Sequence, residues 1–197
     1  MWKSTELRVS PFCLPALLAA LLCGAGTVLP LVLVSALCHE LGHLFVLRRF
    51  HVPVDRIILS PMGAVITAPD QEKLSYGREL LAVLAGPAVN LILALVFARV
   101  CGDYLFAGAN AILGVYNLLP IDGLDGGRAL FLLLSWCTEP FTALRITRAV
   151  NLIVMALLLG LSILLLYRTG GGLFCLLAAA GMAAAQLSHA LGHRPRV

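Results

Sequence analysis

Long apolar stretches, separated by short polar or glycine- and proline-containing segments, dominate the pattern of hydrophobicity along the chain. A helix needs roughly 20 apolar residues to cross a hydrocarbon layer of about 30 Å, and several stretches approach that length. The pattern therefore predicts an all-α polytopic membrane protein with about six transmembrane helices and one shorter helical piece at 127–137. The six predicted spans lie at about 11–25, 28–47, 78–99, 104–118, 147–167 and 171–190.

The segment between the second and third predicted helices, "VPVDRIILSPMGAVITAPD", differs in kind from the rest. Its β-branched residues form two short runs that "SPMG" interrupts, a pattern that predicts a β-hairpin at about 54–67. The hairpin is polar enough to lie at the membrane surface. Its edge could pair with an extended peptide by β-augmentation. The alternative is an ordinary interfacial loop.

Composition supports a membrane protein and argues against a nucleic-acid-binding protein and against a Cys-x-x-Cys site. Of the 197 residues, 60% are hydrophobic and 12% charged, whereas soluble domains carry about 25% charged residues. The net charge of +4 is spread along the chain without a basic, aromatic-interleaved cluster, so nucleic acid is not an expected partner. The six cysteines are at least ten residues apart, which excludes a Cys-x-x-Cys metal or redox pair.

The basic residues fall unevenly on the two sides that six crossings define. If Lys3 and Arg8 are cytosolic, all fourteen lysines and arginines except Arg99 and Arg168 count to the same side. This distribution agrees with the positive-inside rule, so both termini are expected to be cytosolic. The first apolar stretch could also be a cleaved signal peptide, but retention is favoured because the second span follows within a few residues.

One predicted span carries ionisable side chains at a spacing that suits a metal ion. In "SALCHELGHLF", His39 and His43 lie one helical turn apart on the same face, and Glu40 projects beside them. This is the His-Glu-x-x-His arrangement of zinc hydrolases, in which the imidazoles hold the metal and the glutamate acts as general base. The structural alternative is a pair of buried histidines with a counter-ion, which the energetic penalty of ionisable groups inside a span disfavours.

A catalytic zinc site generally has three protein ligands and one open position. The segment "YNLLPIDGLDGGRALF" supplies two candidate carboxylates, Asp122 and Asp125. His43 lies four residues before Leu47, the predicted cytosolic end of its helix, and residues 118–128 lie at the cytosolic end of another. The two segments are therefore expected at a similar depth. The local sequence leaves the choice between the two aspartates open.

Three motifs occur together: His-Glu-x-x-His at 39–43, Gly-Pro-x-x-Asn at 86–90 and Asn-x-x-Pro-x-x-x-x-Asp-Gly at 117–126. In this order they resemble the site-2 protease family of intramembrane zinc metalloproteases, in particular its compact bacterial stage IV sporulation protein FB branch. No cystathionine-synthase-like (CBS) nucleotide-sensing domain or PDZ domain, of the kind that some relatives carry, is evident. Residues 1–197 are therefore expected to form a single intramembrane metalloprotease domain.

The resemblance implies a role for each matching position. One Zn²⁺ ion would be held by His39, His43 and Asp125, with Glu40 as general base. Asn117 would bind substrate near its backbone or the oxyanion, or else would cap the segment that follows it. The implied substrate is a transmembrane protein in the lipid bilayer of the cell membrane, cut near the cytosolic face after its helix unwinds. A gating membrane protein is a candidate partner.

Other assignments compete with this prediction. The runner-up function is a catalytically silent zinc-binding membrane protein or a transporter that uses the same ligands. A transporter should carry polar residues along several spans, whereas here the ionisable groups concentrate at one end of one helix. Gly86–Pro87 could kink a helix, and Asn90 could bridge helices. The pair His189–His193 repeats the spacing without a glutamate and is expected to end a helix at the interface.

Overall fold

The computed structural model describes residues 6–9, 26–60, 63–68 and 74–169. The chain divides into two compact units, one up to Leu118 and the other from Leu119 onward. Two predicted helices, at 11–25 and 171–190, lie outside the described residues, as does the pair His189–His193.

Helices make up most of both units. The first unit contains β1 (Glu6–Val9), α1 (Val28–Arg49), β2 (Arg56–Ser60), β3 (Gly63–Thr67), α2 (Tyr76–Val96), a π-helical turn (Phe97–Cys101) and α3 (Tyr104–Asn117). The second contains α4 (Asp125–Cys137) and α5 (Pro140–Thr169). The prediction placed the start of α5 at residue 147. It begins earlier because proline is well suited to the first helical position, where no backbone N–H is needed.

The three strands form one small sheet in the order β1-β2-β3. Strands β2 and β3 are antiparallel, with Arg56 opposite Thr67 and Ser60 opposite Gly63, inside the segment for which the sequence predicts a hairpin. Strand β1 pairs with β2 in parallel. Strand β1 was not predicted from the sequence. The position of the sheet at a membrane surface stays a prediction.

A left-handed residue two positions after the end of helix α1 turns the chain before strand β2 begins. His51 has φ 57°. Its N–H donates to the Arg48 carbonyl, and the Val52 N–H donates to the Leu47 carbonyl, both at 3.0 Å. These two hydrogen bonds form a Schellman motif, which is completed by an apolar contact between the residues that flank the turn. Here Leu47 and Val52 are both buried in one apolar cluster with Ala82.

Each helix of the first unit buries one narrow stripe of mostly small or polar residues and exposes large apolar side chains elsewhere. On α1 the outward side carries Leu33, Leu37, Leu41 and Phe45, all more than half exposed. This arrangement suits a lipid environment, where helices associate through small and polar residues. The buried residues are Ser35, His39, Gly42 and Leu47 on α1; Glu79, Ala82, Val83, Gly86, Pro87 and Asn90 on α2; and Phe106, Ala107, Asn110 and Gly114 on α3.

Two glycines let α1 and α3 approach α2 closely. A Cβ atom at Gly42 would lie 2.8 Å from the Ala85 carbonyl oxygen, and one at Gly114 would lie 3.2 Å from the Asn90 Cβ. The first distance is too short for any side chain unless the backbones separate. Small residues of this kind are typical of helix contacts in membranes.

Three of the described helical segments are long and apolar enough to cross a membrane: Val28–Arg49, Tyr76–Cys101 and Pro140–Arg168. Helix α3 has 14 residues and so extends about 21 Å, which is shorter than a hydrocarbon core of about 30 Å. The six-crossing topology therefore stays a prediction.

In the second unit a tight turn leads into α4. Gly123 has φ 91°, a left-handed conformation that glycine adopts without strain, and the Leu124 N–H donates to the Ile121 carbonyl at 3.0 Å. The backbone N–H of Asp122 donates to the Asn151 side-chain oxygen of α5 at 3.1 Å. The turn is thus attached to α5 immediately before α4 begins.

The close contact at Gly42 predicts a loss of stability when a methyl group is added. We expect Gly42→Ala to lower the free energy of unfolding by about 1–3 kcal/mol, as overpacking of a tight contact does. Gly108→Ala is the control, because a Cβ atom at Gly108 in α3 meets no atom of the described residues within 4 Å. That variant should match or slightly exceed the native stability, since alanine is the better helix former. Thermal unfolding in detergent compares the two, and equal stability would contradict the close packing of α1 on α2.

Candidate metal centre

Two imidazole rings from successive turns of α1 meet inside the first unit. His39 is 5% exposed and His43 is half-buried. Their rings pack edge to face with centroids 4.8 Å apart and planes at 79°. The Nε2 atom of His39 lies 3.1 Å from the Nε2 atom of His43. The spacing that the sequence suggested therefore brings one nitrogen of each ring to the same point.

The other nitrogen of each ring faces an oxygen of α2. The Nδ1–H of His39 donates to the side-chain oxygen of Asn90 at 2.6 Å. The Nδ1–H of His43 donates to the backbone carbonyl of Ala82 at 2.8 Å. A neutral imidazole with its hydrogen on Nδ1 carries its lone pair on Nε2. Both Nε2 atoms are therefore electron-pair donors, in the tautomer that metal-binding histidines adopt when an oxygen accepts their other N–H.

The distance between these two donors fits a shared tetrahedral metal ion. Two nitrogens at about 2.0–2.1 Å from one zinc ion, at a tetrahedral angle, would be about 3.3 Å apart. The observed 3.1 Å is close to that value. A cation that accepts both lone pairs would hold the two nitrogens at this distance. The donor pair thus fits zinc both in distance and in chemistry.

Gly86 leaves room beside the two nitrogens. A Cβ atom at this position would lie 2.7 Å from the Nε2 atom of His39 and closer still to that of His43. Any side chain at 86 would therefore displace both rings or fill the space next to their donor atoms. The sequence pattern favoured a kinking or packing role for Gly86–Pro87, and the contact with the histidines adds a second requirement for glycine here.

The other predicted site residues of the first unit lie on α1 and α3. Glu40 directly follows His39 and is half-buried. Asn117 is the last residue of α3, and its side-chain N–H donates to the Leu113 carbonyl of the same helix at 3.1 Å. The role of Asn117 in substrate binding stays a prediction.

The two candidate aspartates belong to the second unit. Asp125 is the first residue of α4 and is half-buried, whereas Asp122 is an exposed residue of the preceding turn. The positive end of the helix dipole favours an ionised carboxylate at the start of α4. Gly127 lets the helix approach the turn, because a Cβ atom there would collide with the carbonyl group of Ile121. The carboxylate of Asp125 is therefore held at a fixed helix start.

Two groups near the histidines, the Ala82 carbonyl and the Asn110 side chain, were not predicted from the sequence. The Ala82 carbonyl belongs to the backbone, so no side-chain pattern could have identified it. Asn110 is fully buried in α3 and contacts Asn90, and its amide in the middle of an apolar stretch was a signal that could have identified it. Asn90 bridges helices, as one of the two sequence interpretations held, and it also contacts a histidine.

Comparisons with known proteins agree with this architecture. A model of peptidase family M50 matches residues 27–106 and 102–161. A zinc metalloprotease of Methanocaldococcus jannaschii is 34% identical over 116 residues, which are 53% of this chain and 33% of that protein. Stage IV sporulation protein FB of Bacillus subtilis is 32% identical over 138 residues, 66% of this chain and 48% of that protein. The chain thus matches about a third to a half of the length of these relatives.

A solved structure resembles the chain over most of its length. The site-2 protease from Methanocaldococcus jannaschii superimposes with a TM-score of 0.65 at 24% identity, covering 92% of this chain and 90% of the other. This similarity shows that the two share a fold. Because the family model covers more than half of the residues, the chain belongs to peptidase family M50, the site-2 protease family that its three motifs indicated.

Proposed function

We propose that the chain is an intramembrane zinc endopeptidase that hydrolyses a peptide bond of a membrane-embedded protein near the cytosolic face. The observation that carries the proposal is the convergence of the His39 and His43 Nε2 atoms, 3.1 Å apart, with Glu40 next in the chain. Membership of a peptidase family and the name of a relative, a zinc metalloprotease, support hydrolysis with zinc.

The proposed ligands of the single zinc ion are His39, His43 and Asp125. Two imidazoles and one carboxylate are a donor set that could hold a metal ion, and zinc accepts all three groups. Asp125 starts α4, where the helix dipole keeps a carboxylate ionised and ready to bind a cation. Three protein ligands leave one position open, which is the arrangement of catalytic rather than structural zinc sites.

Glu40 is the proposed general base. When bound, zinc supplies a Lewis acid that polarises the scissile carbonyl and lowers the pKa of water. The Glu40 carboxylate takes the proton of the attacking water and gives it to the departing amide nitrogen. Asn117 is proposed to contact the substrate backbone. Its side-chain nitrogen donates one hydrogen to the Leu113 carbonyl, which leaves the second hydrogen for a substrate oxyanion and the side-chain oxygen for a substrate N–H.

A helical substrate must be extended before it can be cut, because its backbone carbonyls are hydrogen-bonded within the helix and shielded from attack. Strand β3 ends the three-stranded sheet, and we propose that an extended substrate segment pairs with it by β-augmentation. Such pairing would satisfy the backbone groups that unwinding exposes.

The proposed site lies near the basic end of its helices. His43 precedes Arg48 by five residues, or about 7.5 Å along α1. Arg78 lies in the first turn of α2, whereas Arg99 lies in the π-helical turn that follows the helix. We propose a multi-pass protein of the cell membrane with both termini and the cleavage site on the cytosolic side, and a membrane protein that gates substrate access.

The runner-up is a zinc-binding membrane protein without hydrolytic activity, or a transporter, built from the same ligands. It would need the imidazoles and the carboxylate but would not need Glu40 as a base. The role of Glu40 therefore separates the two functions.

We expect Glu40→Gln to retain zinc and to lose proteolysis, because the amide cannot accept the proton of water while the ligands remain. Zinc content is measured on the purified chain. Activity is measured by comparing membrane-anchored protein fragments in cells that carry the native chain or the variant. His39→Ala is the contrasting variant, expected to lose zinc and activity together. Native-like proteolysis by Glu40→Gln would refute the proposed mechanism.

The choice of aspartate is tested by a matched pair of variants. Asp125→Ala should lose most bound zinc and all detectable cleavage, whereas Asp122→Ala should keep substantial zinc and some activity. The reason is that the backbone N–H of Asp122 attaches the turn to Asn151 of α5, and this hydrogen bond survives substitution of the Asp122 side chain. Zinc retained in Asp125→Ala but lost in Asp122→Ala would transfer the third ligand to Asp122.

Orientation is tested by labelling single cysteines in intact cells. The native cysteines are first replaced, because Cys101 and Cys137 are exposed. Cysteines introduced at Arg56 and Arg145 should resist an impermeant thiol reagent added outside, and one at Arg99 should react as the positive control. Labelling at Arg56 and Arg145 with protection at Arg99 would place the proposed site on the opposite side of the membrane.

A further inference from the structure

A network of buried hydrogen bonds, here called the relay, links His39 through the side-chain amides of Asn90 and Asn110 to helices α1, α2 and α3. Asn90 of α2 and Asn110 of α3 have no exposed surface. The side-chain oxygen of Asn90 accepts the Nδ1–H of His39. Its side-chain nitrogen donates to the Ser35 carbonyl of α1 at 3.0 Å and to the side-chain oxygen of Asn110 at 2.8 Å. Both hydrogens of the Asn90 amide are therefore used, and its oxygen faces the histidine.

Backbone carbonyls fix the direction of every hydrogen bond in the relay. The side-chain nitrogen of Asn110 donates to the Phe106 carbonyl at 3.0 Å, which leaves the Asn110 oxygen facing Asn90. A carbonyl is an acceptor without a hydrogen to donate. If either amide flipped, its oxygen would face a carbonyl oxygen in a buried environment, where an unsatisfied polar group costs about 1–3 kcal/mol. The carbonyls of Ser35 and Phe106 thus hold both amides in one orientation.

We infer that Asn90 and Asn110 are positioning residues that hold His39 in the tautomer with its hydrogen on Nδ1, and so direct its Nε2 lone pair toward the metal. The inference rests on the proposed zinc site. Neither asparagine needs to touch the metal or the substrate for this role. In the absence of the relay, the ring of His39 could rotate or exchange tautomers, and its Nε2 would cease to be a fixed donor.

The second histidine provides an internal comparison. His43 donates its Nδ1–H to the Ala82 carbonyl, an acceptor that belongs to the backbone of α2. Substitution of Asn90 or Asn110 leaves this carbonyl in place. The two ligands are therefore held by different means, and a change in the relay should affect His39 while His43 keeps its tautomer.

Asn90→Leu and Asn110→Leu remove the relay at its two amides, because leucine has the same branching and the same number of heavy atoms as asparagine but cannot form these hydrogen bonds. Ser35→Ala is the matched control. Ser35 is also fully buried, but its hydroxyl donates to the Leu31 carbonyl of its own helix at 2.8 Å, while its backbone carbonyl serves the relay. The control therefore removes a buried polar group from the same cluster and leaves the hydrogen bonds of Asn90 intact.

Two measurements on the full-length chain in detergent test the inference. Nitrogen-15 spectra of the imidazoles in chelator-treated protein report the tautomer of each histidine, and competition with a chelator reports the affinity for Zn²⁺. Native protein and Ser35→Ala should show the Nδ1–H tautomer at both histidines. Asn90→Leu should show mixed tautomers at His39 alone and a zinc affinity lower by about 10- to 100-fold, the usual effect of removing such a partner. Asn110→Leu should show the same changes in smaller degree.

An unchanged His39 tautomer in both leucine variants would overturn the inference. So would equal changes at both histidines together with a loss of helical circular dichroism, because that result would show a general structural role. If Asn90→Leu does not fold, the nitrogen-15 spectra of Asn110→Leu test the inference, since that variant keeps both His39 and Asn90. Failure of the native chain to bind zinc would refute the proposed function instead, while the tautomers measured without metal would still decide the inference.

Discussion

Two imidazole nitrogens that point at each other across 3.1 Å, inside a group of helices with an apolar exterior, set the requirements for the first unit. Each ring must give its other N–H to an oxygen, because a buried donor without an acceptor is costly. Helix α2 supplies both acceptors, the Asn90 side chain and the Ala82 carbonyl. The polar interior of α1, α2 and α3 follows from that demand, and their outward leucines and valines suit contact with lipid.

The need for α2 to supply acceptors to the imidazoles of α1 also explains why small residues recur where the helices contact each other. The backbones must lie close enough for short side chains such as asparagine to reach across, and glycine permits this at Gly42 and Gly114. Gly86 has a different role, because it leaves space beside the two Nε2 atoms. Packing and metal binding therefore depend on one set of contacts, and a substitution that separates the helices also affects the position of the imidazoles.

Much of this organisation could be predicted from the sequence. Apolar length predicted helices close to α1, α2 and α3, because burial in lipid or protein leaves a helix as the way to satisfy the backbone. The i, i+4 spacing placed His39 and His43 on one face, since neighbouring turns fix that geometry without any long-range contact. The family was also identified from three local motifs, and the match of the family model confirms it.

What the sequence missed depends on long-range contacts. Strand β1 has four residues and forms by pairing with β2, some fifty positions away, so its own pattern carries little signal. The acceptor for His43 is a backbone carbonyl, which every residue possesses. The relay through Asn110 depends on α3 packing against α2, and no local spacing relates residue 110 to residue 39. These features arise from tertiary packing, which local patterns do not encode.

The central claim, a zinc ion held by two imidazoles and a carboxylate, is tested most directly by X-ray absorption at the zinc edge of the purified, zinc-loaded chain. The account predicts a first shell of nitrogen and oxygen at about 2.0–2.2 Å, with the outer scattering of two imidazole rings. Cys38 precedes His39 and supplies the nearest alternative ligand in the sequence. A sulfur shell at about 2.3 Å, or a spectrum without imidazole scattering, would contradict the account.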